Sequence, residues 1–133
     1  MTIQFSDDVA NGMLDSIEST IGTAPTMEIR SGSPPANCAA SSTGTVLATL
    51  TLPSDWMAAA ATRSKSKSGT WQDASADATG TAGYYRILVS GVCKIQGTCT
   101  GIGGGGDMII DNPSLVATQQ FTVVTYTITA PNP

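Results

Sequence analysis

The 133-residue chain contains no histidine. Imidazole is the usual base of a nucleophilic triad and a common zinc ligand, so a Ser-His-Asp relay is excluded. Only three cysteines are present, Cys38, Cys93 and Cys99, and no two lie close together, which leaves no zinc motif. An odd count is not a disulfide framework. Cys93 and Cys99 have even spacing, but residues that far apart in one strand are too distant to bond. All three are expected as small buried apolar residues.

Charge is scarce, at 12% of residues, and aromatics make up 5%. Little charge with abundant Ser, Thr, Ala and Gly would suit a disordered chain, but 41% hydrophobic residues in strand-like patterns argue for a core. The net charge of −4 and the pI near 4.3 lack the basic stripe of a dedicated nucleic-acid binder, so no direct nucleic-acid partner is expected. No apolar run approaches the roughly 20 residues of a membrane helix, and no membrane partner is expected. The first residues show no basic and then apolar leader pattern and carry Asp7 and Asp8, so synthesis and use in a cytoplasm is the expectation. The length suits one domain over residues 1–133, long enough to bury roughly two-thirds of its unfolded surface.

The stretch around which the rest is organised is Thr45 to Leu52, closed by Pro53-Ser54-Asp55-Trp56. Val46, Ala48, Leu50 and Leu52 fall on one side of an extended chain, which predicts a strand with one apolar face. Pro53 cannot donate to a ladder and ends it. Upstream, Ser6-Asp7-Asp8 reads as a helix start, with Ser6 as cap and the acids at the positive end of the dipole. Val9, Met13, Leu14, Ile17 and Ile21 recur at helical spacing and Gly22 stops them, predicting a helix over about residues 7–21. Pro25 to Arg30 reads as a strand. Ser31 to Gly44 is a long polar loop of the kind that is often functional or mobile.

Trp56 to Ala61 reads as a helical turn or the start of a strand. Arg63, Lys65 and Lys67 then alternate; in an extended segment they form a basic ridge that could dock on an acidic partner or phosphate, or else a solvated, lysine-protected edge. Thr70 to Asp73 reads as strand and Ala74 to Gly83 as a small-residue loop. Tyr84–Val89 and Val92–Thr98, separated by Ser90-Gly91, form a tight hairpin signal. Asp107–Asp111 and Gln120–Thr129 are further strands, with a turn at Asn112-Pro113-Ser114. Pro131-Asn132-Pro133 cannot continue a ladder. About seven or eight short strands after one helix predict an all-β, antiparallel two-sheet jelly-roll sandwich. An Ig-like sandwich is second, without its Cys…Trp…Cys pattern.

Gly101 to Gly106 contains G-x-G-x-x-G, but a dinucleotide fingerprint needs a helix after it and a P-loop needs Gly-Lys-Ser/Thr. A flexible hairpin tip is the plain reading, and no cofactor is expected. Asp73 with Asp77, and Asp107 with Asp111, are carboxylate pairs of the kind that hold calcium or cleave glycosides, yet sparse acids at loop ends are the simpler reading. No motif points to a lysine or carboxylate base. The chain is expected not to be an enzyme.

Three stretches together carry a resemblance: Met13–Glu18 with Met27–Gly32, then Thr45–Met57, then Ser68–Trp71 through Gly80–Arg86. The Gly-Gly-Gly-Gly-Asp-Met of 103–108 fits as well. The chain resembles a family of small tailed-phage and prophage head proteins and is similar to the capsid cementing (decoration) protein of a Bordetella phage. The resemblance implies a jelly-roll subunit on the outer capsid surface of an HK97-type virion. Its partner would be the phage major capsid protein, and it would form a dimer or trimer on the shell and be made in the host bacterial cytoplasm. It transfers no catalytic residue. Candidate contact residues are Trp56, Met57 and Trp71 with Arg63, Lys65 and Lys67 at the rim, unless the tryptophans belong to the core. The arm Met1 to Phe5, with Ile3 and Phe5, is a second candidate, adding a strand to a neighbour. The competing reading is a carbohydrate- or receptor-binding module of a fibre or tail, with Tyr84, Tyr85 and Trp71 as an exposed aromatic platform.

Overall fold

A computed structural model describes residues 3–131. The Met1-Thr2 part of the arm and the Asn132-Pro133 part of the tail lie outside them. One helix, α1 (Asp7–Ile21), precedes nine strands: β1 (Thr26–Ser31), β2 (Val46–Thr51), β3 (Ser64–Ser66), β4 (Gln72–Asp73), β5 (Gly80–Val89), β6 (Val92–Thr100), β7 (Met108–Ile110), β8 (Ser114–Leu115) and β9 (Phe121–Thr129). The protein is thus mostly β, with a single N-terminal helix. The strands follow one path, β2-β1-β5-β6-β7-β9-β3, with β4 on β9 and β8 on β5. Every pairing is antiparallel except β6 with β7, which is parallel. The expectation of purely antiparallel strands is corrected at that point: the glycine run is not a hairpin tip but a return loop that brings Met108 beside Cys99 with the chain running the same way.

The helix begins and ends where its signals put it, but two details differ. Ser6 has extended backbone at the cap, yet its hydroxyl donates to the Asp8 carboxylate and not to a free amide. The buried stripe runs through Ala10, Leu14 and the half-buried Ile17, while Val9 and Met13 face outward. Trp56 to Ala61 is neither a helical turn nor a strand; it is irregular, with an isolated bridge between Met57 and Lys67. The hairpin at Ser90-Gly91 forms with φ of 50° and 77°, and Val89 pairs Val92. Positive φ at both central residues is the turn that matches the twist of paired strands.

The sheet curls on itself. Ala48, Leu50 and Leu52 point into the core as their alternation predicts, against Met27, Ile29, Ile87 and Met108. The outer edge of β2 is closed by the segment after β4: Asp77 and Ala78 amides donate to Leu47 O, and the Asp73 and Asp77 carboxylates take the Thr49 amide and hydroxyl. A bulge at Leu47, where the register shifts between Ile29–Ala48 and Arg30–Val46, breaks the predicted alternation: Leu47 joins the core cluster and Val46 is only half-buried. Inside, four rings touch in series. Trp56–Trp71, Trp71–Tyr126 and Tyr85–Tyr126 centroids lie 6.1, 5.4 and 5.3 Å apart, within the range of attractive aromatic pairs.

The loop between β1 and β2 covers the other face of β5 and β6. Arg86, only 3% exposed, donates to the Asn37 and Ala40 carbonyls, the Ser42 hydroxyl and Gln96 Oε1. Tyr84 exchanges hydrogen bonds with Thr43, and Gln96 donates to Pro35 O. Cys38 of this loop is disulfide-bonded to Cys93 of β6, with Cα atoms 5.2 Å apart; Cys99 alone is a free buried thiol. The reading of all three as unpaired apolar residues is therefore corrected. A 55-residue separation hides such a pair from local spacing. Gly83 lies under the loop so closely that an added Cβ would stand 1.8 Å from Gly32 O, which no rotamer relieves.

Replacing Cys38 and Cys93 together by Ser should cost about 2–4 kcal/mol of unfolding free energy in urea titration, the usual worth of closing a loop of this length. A double variant as stable as the parent would show that the polar contacts of Arg86 and Tyr84 alone hold the loop.

Candidate functional site

The expected contact residues separate into three groups. Trp56, Met57 and Trp71 are at most 1% exposed and belong to the core. Their indole N–H groups donate inward, Trp56 to Gly22 O and Trp71 to Ser68 O, so they are corrected from surface anchors to core members. The same burial removes the aromatic platform of the carbohydrate reading, because Tyr84, Tyr85 and Trp71 are all enclosed.

Arg63, Lys65 and Lys67 do not form an outward ridge. Only Lys65 lies in the extended strand β3; Arg63 precedes it in a turn with φ of 64°, and the cations turn toward the helix and the protein's own carbonyls. Lys65 is 1% exposed, and its ammonium meets Asp15 Oδ1 at 2.8 Å, Glu18 Oε2 at 3.0 Å and Ala58 O at 2.9 Å. All three protons are used. Arg63 donates to Phe5 O, the Asp7 carboxylate and Pro131 O, and Asn11 Oδ1 takes its backbone amide. Lys67 donates to Gly69 O. Lys65 and Arg63 thus fasten α1 and the segments at Phe5 and Pro131 to the β3 region. The sequence signal was already there: Asp15 and Glu18 lie three apart on one helix face, at the spacing that lets two acids meet one cation.

Hydrogen bonding by Lys65 holds the Asp15 carboxyl below its ordinary value of 3.8. Burial pulls the Lys65 ammonium down, but its hydrogen bonds to Asp15 and Glu18 outweigh this and leave it above 10.5. Burial pushes the Tyr85 hydroxyl far above its usual 10.0 and Tyr126 up to about 12, so both stay protonated and serve as neutral partners at 2.9 Å.

The arm residues differ from the rest. Ile3 is 72% exposed and Phe5 is half-buried, held by its carbonyl on Arg63. The carboxylate pairs act within loops: Asp73 and Asp77 on β2, Asp107 on the Thr98 amide and hydroxyl, Asp111 on the Asn112 and Thr122 amides. Among the described residues no cluster of three His, Cys, Asp or Glu is placed to hold a metal.

One concavity was not foreseen: a groove of about 710 Å³ between α1, β6 and β9. It exists because β7 is short. β7 separates β6 from β9 only at Cys99–Thr100 on one side and Val123–Tyr126 on the other. Beyond Asp107 the two strands continue with no strand between them among the described residues. Where β7 begins, the two strands stand two inter-strand steps apart, about 9.5 Å, the room for one strand. Ile17 and Ile21 of α1, with Ile95, Ile128, Tyr85 and Tyr126, line its base. Nothing in local periodicity marks it, since it arises from where β7 stops.

Lys65→Met should lower stability by about 2 kcal/mol, less than for a fully buried pair because the acids left behind can reach water. The parent should also lose stability as pH falls through 3.8, because the unfolded chain then binds the Asp15 proton first; above about pH 5 this contribution is complete. The Lys65 contribution runs the other way, complete below 10.5 and lost as pH rises beyond it. Thermal melts across pH should show a shallower acid slope for the variant; parallel slopes would remove the clamp from the account. Among the described residues no helix is long and apolar enough to cross a membrane. Comparisons with protein-family models, curated proteins and solved structures find no match for this chain.

Proposed function

We propose that the chain is a virion structural protein, located on the outer capsid surface, that decorates and cements an HK97-type phage capsid by bridging major capsid proteins. The resemblance through Met13–Gly32, Thr45–Met57 and Ser68–Arg86 supports this reading over nearly the whole chain. The observation that carries it is how the polar groups are employed. Lys65, Arg63, Arg86 and the carboxylate pairs are engaged in holding loops and helix to the sheet, and the tyrosine pair joins β5 to β9 inside the core. What is left to offer a partner is surface to bury, and the reading includes no enzyme activity and no cofactor. The jelly-roll architecture belongs to the same reading and is supported by the antiparallel pairing of every strand pair but one.

The mechanism is interface burial. An interface of standard size hides about 1,600 Å² in total, and repetition over the shell multiplies its effect. Bridging neighbours raises the free energy of separating capsomers in a head pressed outward by its DNA. Exposed Val9 and Met13 on the outer face of α1 provide apolar contact area, rimmed by polar residues. The subunit is made in the host cytoplasm and binds the shell as a dimer or trimer, as the symmetry axes of the shell invite.

Heads assembled without the chain should break open at lower temperature, and adding it back should restore them. Equal thermal integrity with and without it would contradict the reading. Val9→Asp with Met13→Asp should weaken binding to heads at least tenfold, about 1.4 kcal/mol, while leaving the circular dichroism unchanged.

A further inference from the structure

The slot beside β7 is a missing rung. Strand backbones point alternately to either side. The Thr98 amide faces Asp107 and not β5, so the Gln96 N–H and C=O, two residues back, face the slot. On the opposite wall, the Lys67 amide donates to Tyr126 O and the Ala130 amide to Arg63 O, which turns Tyr126 and Ala130 toward β3 and its flanks. Thr127 and Thr129 therefore face the slot. Two strand edges thus confront each other across the width of one strand, over an apolar base, and Asp107 caps the end where β7 begins.

We propose that this slot receives the arm around Ile3–Phe5 of a second copy of this chain, as an added strand in line with β7. The described part of the arm, Ile3-Gln4-Phe5, has the required pattern: a polar residue stands between two apolar ones, so Ile3 and Phe5 can face the base while Gln4 faces out. Ile3 stands 72% exposed, which leaves its apolar surface without cover in the single chain. The arm does not occupy its own slot. Phe5 O is held by Arg63 at the first turn of α1, whereas the slot adjoins Ser16 to Ile21, about 14–21 Å along the helix. Main-chain hydrogen bonds to both edges supply affinity, and the isoleucine-lined base selects the alternating pattern. The inference does not depend on the capsid reading.

The test combines analytical ultracentrifugation with amide hydrogen exchange on the full chain, from micromolar concentration to about 1 mM. Self-association should appear together with slowed exchange at Gln96, Thr127 and Thr129. Ile3→Asp, at an exposed position, should weaken association at least tenfold and return those amides to fast exchange with an unchanged far-ultraviolet spectrum. Thr129→Pro, which deletes an amide directed at the slot, should do the same from the acceptor side. A chain that stays monomeric throughout overturns the proposal. So does association that leaves those three amides unprotected, or association that Ile3→Asp leaves intact. Protection gained only on adding capsid shells overturns it too, in favour of an arm from the shell protein.

Discussion

The ammonium of Lys65, enclosed between α1 and the sheet, is the contact on which the arrangement of this protein turns. A buried cation is costly unless every proton finds an acceptor and its charge is balanced. Here two carboxylates one helical turn apart and one carbonyl do both. The geometry fixes the helix in rotation and in height. It explains why Ala10 and Leu14 face inward while Val9 and Met13 do not, and why Ile17 and Ile21 lie against the groove. Arg63 repeats the device at the first turn, so the helix is held at both ends by side chains from the β3 region.

The opposite face of the sheet relies on the same physics with a different cation. Arg86 gathers carbonyls and a hydroxyl from the loop after β1 and is helped by Tyr84 and the Cys38–Cys93 link. The loop is long and polar, so burying it requires partners for its backbone groups. A guanidinium with several donors provides them at one point. The two flanks of a small β body are thus covered by a helix and a loop, each tied down by one buried basic residue, while the apolar interior is reserved for the aromatic series from Trp56 to Tyr85.

Features governed by near neighbours could be read along the chain. The bounds of α1, the inward face of β2 from Ala48 onward and the turn at Ser90-Gly91 all follow from local pattern, because capping, alternation and turn chemistry act within a few residues. Features set by distant neighbours could not. Alternation of Arg63, Lys65 and Lys67 predicts an extended segment, but whether its face meets water or a helix is decided by where α1 lies. Trp56 and Trp71 look the same in sequence whether they anchor a partner or fill a core. The parallel return into β7 departs from the antiparallel habit of short glycine loops. The groove exists only because that strand ends early.

The inward use of cations has a consequence for how copies meet. Arg86 and Lys65 are enclosed, and Arg63 is engaged with Asp7 and the tail, whereas Asp8, Asp55, Asp77, Asp107 and Asp111 stand at the surface and outnumber the exposed Lys94. The field presented to an approaching copy is therefore predominantly anionic. Like copies close on one another against Coulomb repulsion, and added electrolyte, by shortening the screening length, eases rather than weakens their approach. A basic neighbour would meet the reverse situation and be drawn in most strongly from dilute buffer.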